Sequence, residues 1–205
     1  MPHALHPRLT EVAELEAARA GWPAGGVLRL EEALAPGLAA ELATWFTRVP
    51  LRAGYHADQA ALTWSFEVQL PHGIDPQYPD SLNRLIGFLD RELPALAGAL
   101  TGRRLRTPMP GSVHLWVWRR GAYVDDGKPL APPGGLDVLL GLTGPRWPAE
   151  LGGHLEVAHS QQCLPPGFDT LDLFDRCAFR VPLITARVYA MAVRTFLVPA
   201  DGETD

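Results

Sequence analysis

Trp147-Pro148-Ala149-Glu150-Leu151-Gly152-Gly153-His154-Leu155 carries the strongest local signal in the chain. An indole, a paired glycine and a leucine that opens an apolar run describe a chain turning sharply into a strand. The same texture extends to both sides. Short strand-like runs are expected at Val113 to Trp118, Ala122 to Val124, Leu136 to Leu142, His154 to Val157, Thr170 to Phe174, Phe179 to Ile184 and Val188 to Val198. Gly and Pro turns separate them, and Asp125-Asp126-Gly127 carries the Asp-Gly signal of a hairpin. The last run, Val188-Tyr189-Ala190-Met191-Ala192-Val193, has the pattern of a strand buried on both faces.

Upstream the period changes. Leu82, Leu85, Ile86, Leu89, Leu93, Leu96 and Leu100 keep three-four spacing, which predicts a long helix over Ser81 to Leu100, with Pro94 as a kink and Gly102 as its end. Shorter helices are expected at Leu9 to Ala20, N-capped by Thr10, and from Pro36 to Arg48. Val27 to Leu30 and the alternating Leu62 to Leu70 read as strands. Helices followed by many short strands predict an α+β fold, a β-sandwich or jelly roll buttressed by helices on one face. The expected organisation is one domain over 1–205, with helices and first strands in 1–107 and the jelly-roll core in 108–200.

The chain has 205 residues, 47% of them hydrophobic and 20% charged, with 20 Gly and 20 Pro. That is enough for one well-buried core and too little for two sizeable ones. A net charge of −5 supplies no positive field for nucleic acid or an anionic membrane surface. No apolar run approaches a membrane span, and Met1 to His6 lacks the pattern of a secretory signal. Cys163 and Cys177 cannot make a disulfide framework, so a cytoplasmic protein with reduced thiols is expected.

In its last ninety residues the order of elements resembles the prolyl-hydroxylase-like branch of the iron/2-oxoglutarate oxygenases. Tyr123-Val124-Asp125-Asp126-Gly127-Lys128 stands where that superfamily carries His-x-Asp. Trp147 to Leu155 stands where it carries W-x-x-x-x-G-G-x-L, and Phe179-Arg180-Val181 where it carries a distal His-x-Val. The resemblance implies a double-stranded β-helix and a metal held by two histidines and a carboxylate. With Asp126 matched to the carboxylate, Val124 takes the first histidine's place. Sliding the motif puts Gly127 and Pro129 there instead. Phe179 takes the distal place, and no histidine follows His159. Asp126 is then the one candidate metal ligand; Arg180 would be the one charged residue close to the site, although a solvated strand position is its plainer reading.

Arg187, at the entrance of the last strand, stands where the family keeps a basic residue for the far carboxylate of 2-oxoglutarate. A guanidinium suits a carboxylate because it donates in a planar fork. Arg187 and Tyr123 are therefore the expected anion-binding residues, with Trp116 as an aromatic wall.

Other histidines compose rival sites. His56-Ala57-Asp58 is a literal His-x-Asp, though it precedes the long helix. His154 and Glu156 share a strand face, with His159 beyond, and His114 shares one with Trp116 and Trp118. His3, His6 and His72 neighbour prolines and read as surface positions. No nucleophile elbow, P-loop, C-x-x-C or dinucleotide fingerprint occurs. The expectation is an oxygenase-like jelly roll without metal chemistry or cofactor, holding a small dicarboxylate or a protein or peptide partner. The alternative is an active dioxygenase using Fe(II) and 2-oxoglutarate through Asp125 or Asp126 with His154 or His114.

Overall fold

The computed structural model describes residues 3–22, 26–56, 61–68, 75–108, 113–144, 147–158, 160, 162–185 and 190–200. Within these, the side chains at 55–56, 63–68, 126 and 149 lie outside the description.

The long apolar stripe forms one helical rod in three parts: α3 (Asp80–Gly87), a π-helical turn (Phe88–Glu92) and α4 (Leu93–Thr101). Pro94 explains the widened turn. It has no N–H, and its ring would meet the carbonyl of Asp90, so the helix loosens one turn before it rather than bending sharply. All seven stripe residues from Leu82 to Leu100 are at most 3% exposed. Gly102 ends the rod with a left-handed φ of 73° and donates its N–H to the Gly98 carbonyl.

The N-terminal helix α1 (Val12–Gly21) starts later than expected. Residues Pro7–Thr10 form a 3-10 turn, and the Thr10 hydroxyl donates to the Pro7 carbonyl, closing that turn instead of capping the helix. Val12 is 70% exposed, and the helix touches the core only through half-buried Leu15 and Ala18. In α2 (Leu38–Phe46), Leu38, Leu42 and Phe46 are buried as the spacing requires.

Among the described residues twelve strands are hydrogen-bonded together, ten of them along one path. They are β1 (Val27–Glu31), β2 (Arg52–His56), β3 (Ala61–Val68), β4 (Leu105–Arg106), β5 (Val113–Trp118), β6 (Tyr123–Gly127), β7 (Leu136–Leu142), β8 (Leu155–Val157), β9 (Cys163–Leu164), β10 (Phe168–Phe174), β11 (Phe179–Val181) and β12 (Ala190–Pro199). The path runs β1-β10-β7-β12-β5-β3-β6-β11-β8-β9, with β2 paired to β3 and β4 to β12 beside it, and every described pairing is antiparallel. Strand β3 is where it turns: its last five residues pair with β5, and its first two pair with β6. Residues from both arms then meet in one cluster, Trp116, Leu139 and Ala192 from the first with Val124, Leu155 and Val181 from the second. The path is therefore folded into two facing sheets, a jelly roll, and the fold is α+β.

Alternation sorts the larger sheet into two chemistries. Val113, Leu115, Val117, Val138, Leu140 and Val193 face outward and pack under the helical rod. Trp116, Trp118, Leu139, Ala190 and Ala192 face the barrel interior. The expected strand to Ile184 stops at Val181, because Pro182 has no N–H to continue the ladder. Strands β2, β4 and β9 carry no alternating signal in the sequence.

Candidate functional site: the barrel interior

The Trp-Gly-Gly stretch is a folding device. The Trp147 indole donates to the Gly152 carbonyl at 2.7 Å, and Gly152 and Gly153 have φ of 74° and 76°. A Cβ on Gly152 would lie 2.8 Å from the Leu183 carbonyl oxygen, so the close approach as well as the left-handed backbone demands glycine. The turn delivers Leu155 inward at the start of β8.

The residues standing at the resembled ligand positions face that interior. Val124 is 1% exposed and Phe179 4%, both in the barrel cluster. Gly127 lies opposite Phe179 across β6 and β11, so close that a Cβ there would sit 2.9 Å from the ring. Asp126 is on β6, but its side chain lies outside the described residues, as does all of Arg187. Tyr123 is half-exposed, and alternation with Val124 turns it to the outer face of the smaller sheet.

Arg180 is not beside the interior but is the solvated strand residue that was its plainer reading. It follows Phe179 on β11, points outward, and pairs with Asp125 at 3.1 Å, each side chain 60% exposed. His154 also belongs to the outer face, 26% exposed and 3.1 Å from Glu156 Oε1. His114 is half-buried on the barrel face with Trp116 and Trp118, as its spacing predicts. His56 ends β2 with its side chain outside the description, and Ala57, Asp58, His72 and His159 lie outside the described residues; His3 is exposed, and the His6 Nδ1 accepts from the Arg8 N–H. Among the described residues, no group of three or more His, Cys, Asp or Glu is placed to hold a metal ion.

One charged group inside the barrel, Arg194, was not singled out from the sequence. It sits on β12, 2% exposed, with its guanidinium carbon 4.3 Å from the Trp116 ring centre and 5.2 Å from that of Phe179. Those rings belong to facing sheets, so the cation bridges them through two π faces. Phe174 stacks on Phe179 at 5.5 Å, and Trp118 meets Trp116 edge-on at 5.7 Å. The Arg194 Nη2 donates to the Lys128 carbonyl at 3.2 Å and lies 3.8 Å from Asp137 Oδ1, a charge contact too long for a hydrogen bond.

Asp137 itself is 3% exposed and accepts from the N–H groups of Leu130 and Ala131. Burial pushes its carboxyl above the ordinary carboxylate value, and those amides and Arg194 pull against that.

A second buried pair lies across β1 and β10, where Arg29 and Asp172 are register partners. Arg29 Nε and Nη2 donate to the two Asp172 oxygens at 2.7 and 2.8 Å, and Nη1 donates to the Pro165 carbonyl at 2.8 Å. Burial opposes the Arg29 charge, but the bond to Asp172 and its charge prevail and hold the guanidinium pKa above its ordinary value. This forked geometry is that of a carboxylate facing a guanidinium.

Both cysteines are free; Cys163 is exposed, while burial pushes the Cys177 thiol up to about 11. A cleft of about 460 Å³ lies outside the barrel, lined by Leu5, Leu9, Leu15, Glu92, Leu96 and Ala99 among others.

No protein-family profile and no curated protein sequence matches this chain. Solved structures do. A prolyl-4-hydroxylase from Pseudomonas putida superposes with a TM-score of 0.64 at 14% identity, covering 89% of this chain and 97% of the other. The fold is that of the iron/2-oxoglutarate oxygenases. The non-heme alpha ketoglutarate dependent epimerase SnoN from nogalamycin biosynthesis gives a TM-score of 0.68 at 15% identity over 93% of this chain and 82% of its own. A prolyl hydroxylase from Trichoplax adhaerens, solved with a hypoxia inducible factor peptide, gives 0.66 at 14% over 91% and 89%. The oxygenase fold thus runs through the N-terminal helices as well as the strand-rich half. No helix among the described residues is long and apolar enough to cross a membrane.

Proposed function

We propose that this chain is a degenerate Fe(II)/2-oxoglutarate oxygenase-like protein in which the Arg194 guanidinium serves as the fixed interior cation, without metal-dependent oxygenase activity. The observation that carries the reading is the placement of Arg194 between Trp116 and Phe179. The described barrel residues do not fit an iron ion. Val124 and Phe179 offer it no donor atom, and a transition metal needs several nitrogen, oxygen or sulfur ligands to compete with water.

On this reading the protein works by binding, either a small dicarboxylate or a peptide, or as the partner subunit of another protein in the cytoplasm. Arg187 is the group to test for the dicarboxylate. Arg187→Ala should abolish its binding, and Arg187→Lys should weaken it through loss of the planar fork.

The rival reading, an active 2-oxoglutarate-dependent dioxygenase with a rearranged site, has one observation in its favour. His114 lies on the barrel face and is the register partner of Arg194. Against it, His154 and Asp125 are on the outer face, each already paired. Protein purified from iron-supplemented cells should carry substoichiometric iron and release no succinate from 2-oxoglutarate. Stoichiometric iron with Fe(II)-dependent succinate release, lost in Asp126→Ala, would establish the rival.

A further inference from the structure

Among the described residues, the Trp118 indole and the Thr170 and Thr195 hydroxyls on the barrel strands are buried without a hydrogen-bond partner. Trp118 is 5% exposed, and its indole N–H has no acceptor among the described residues. An orphaned buried donor in a native interior calls for a partner, since leaving it unmade costs most of its hydration. Trp118 lines a cavity of about 20 Å³ at the Arg29 end of the barrel, together with Arg29, Asp172, Leu139, Val181 and Ala192. By a measure in which one water takes ~10–15 Å³, this space admits only the tip of a ligand.

The walls choose the chemistry of that tip. Arg29 and Asp172 neutralise one another, and each guanidinium nitrogen already has an acceptor. An incoming anion would gain no free cation here and would face the Asp172 carboxylate. Leu139, Leu155, Val181, Met191 and Ala192 make most of the remaining lining apolar, and the Thr143 hydroxyl there is already bonded to the Met191 backbone. What the cavity offers is a neutral indole donor without an acceptor, in a narrow recess. An amide oxygen is the strong neutral acceptor that fits, because its polarised carbonyl presents a single exposed atom.

We propose that this recess is a recognition site for an amide carbonyl, from a peptide backbone or an Asn or Gln side chain, anchored by the Trp118 indole. The inference rests on the metal-free reading of the barrel and selects the peptide over the dicarboxylate as the ligand of this end.

The test uses the full chain with its six indoles labelled with nitrogen-15, titrated with N-methylacetamide and separately with sodium acetate. The Trp118 resonance is the one lost in Trp118→Phe; should that variant not fold, it is the indole signal most displaced in Ala192→Val. With N-methylacetamide it should move and saturate, with an affinity about fivefold tighter than for acetate, the scale of one neutral hydrogen bond. Ala192→Val, which fills the same recess, should weaken the response. A resonance that does not move with N-methylacetamide, as a trapped water would leave it, overturns the proposal, and so does tighter binding of acetate. Paramagnetic broadening of these indole signals by added Fe(II) would instead count against the metal-free barrel, so the two failures are separable.

Discussion

The outer face of the larger sheet and its inner face are built from the same strands, yet they solve opposite problems. Outward, Val113, Leu115 and Val117 meet a leucine-rich rod in a cluster that is almost wholly apolar and mostly aliphatic. Inward, the barrel holds His114, Trp116 and Trp118 with Arg194, Asp137 and Asp172, which are at most 3% exposed, and Arg29, whose side chain is 12% exposed. The outer face obtains its stability from area removed from water, a term that tolerates approximate packing. The inner face depends on pairing, because an ionised group left alone in such surroundings is far more costly than a missing methyl group.

That contrast can be broken at Arg194. Arg194→Met leaves the Asp137 carboxylate buried without its counter-charge and should cost about 3–5 kcal/mol in urea unfolding. Arg194→Met with Asp137→Leu should recover most of that loss, since replacing both partners by apolar groups removes the unpaired charge. If the single variant is as stable as the parent, the interior is an ordinary packed core and the contrast fails. On the outer side, Leu89→Ala in the rod, a site 1% exposed, should cost about 3 kcal/mol through lost burial and a residual cavity. No second substitution inside the barrel should rescue it.

The inner face should also be sensitive to pH where the outer one is not. The Asp137 carboxyl is held above its ordinary value of 3.8, so the folded protein keeps a proton that the unfolded chain has already released. Its contribution to stability is therefore complete below 3.8 and declines as pH rises through the folded value. Denaturation curves of the parent and Asp137→Asn, taken from pH 3.5 to pH 7, should show the parent losing stability relative to the variant as pH increases. The opposite slope would mean that Arg194 overcomes the burial of Asp137. The smallest effect belongs to the outer face of the smaller sheet. Asp125→Ala removes the partner of Arg180 where both are 60% exposed, and should change stability by less than about 0.5 kcal/mol.

The sequence showed the outer face well and the inner face poorly, for a physical reason. Helical and strand periods are local, so Leu82 to Leu100 and the strands at Val113 to Trp118 and Leu136 to Leu142 were legible from spacing alone. Even the ordered turn at Gly152-Gly153 was visible, because only glycine accepts that backbone. The interior is specified by partners distant in sequence. Arg29 finds Asp172 only when β1 joins the sheet beside β10, and no spacing within either strand announces it. Arg194 was equally hidden, since a single arginine in an apolar strand looks the same whether it faces solvent or two aromatic rings. The substitutions at Val124 and Phe179 were readable; the cation lying 5.2 Å from the Phe179 ring was not.

The most direct test is a crystal structure of the protein grown with Mn(II) and 2-oxoglutarate, with anomalous data collected for the metal. The expected result is the Arg194 guanidinium between the Trp116 and Phe179 rings and no anomalous peak within the barrel. A metal peak inside the barrel, with Arg194 displaced from those rings, would contradict it.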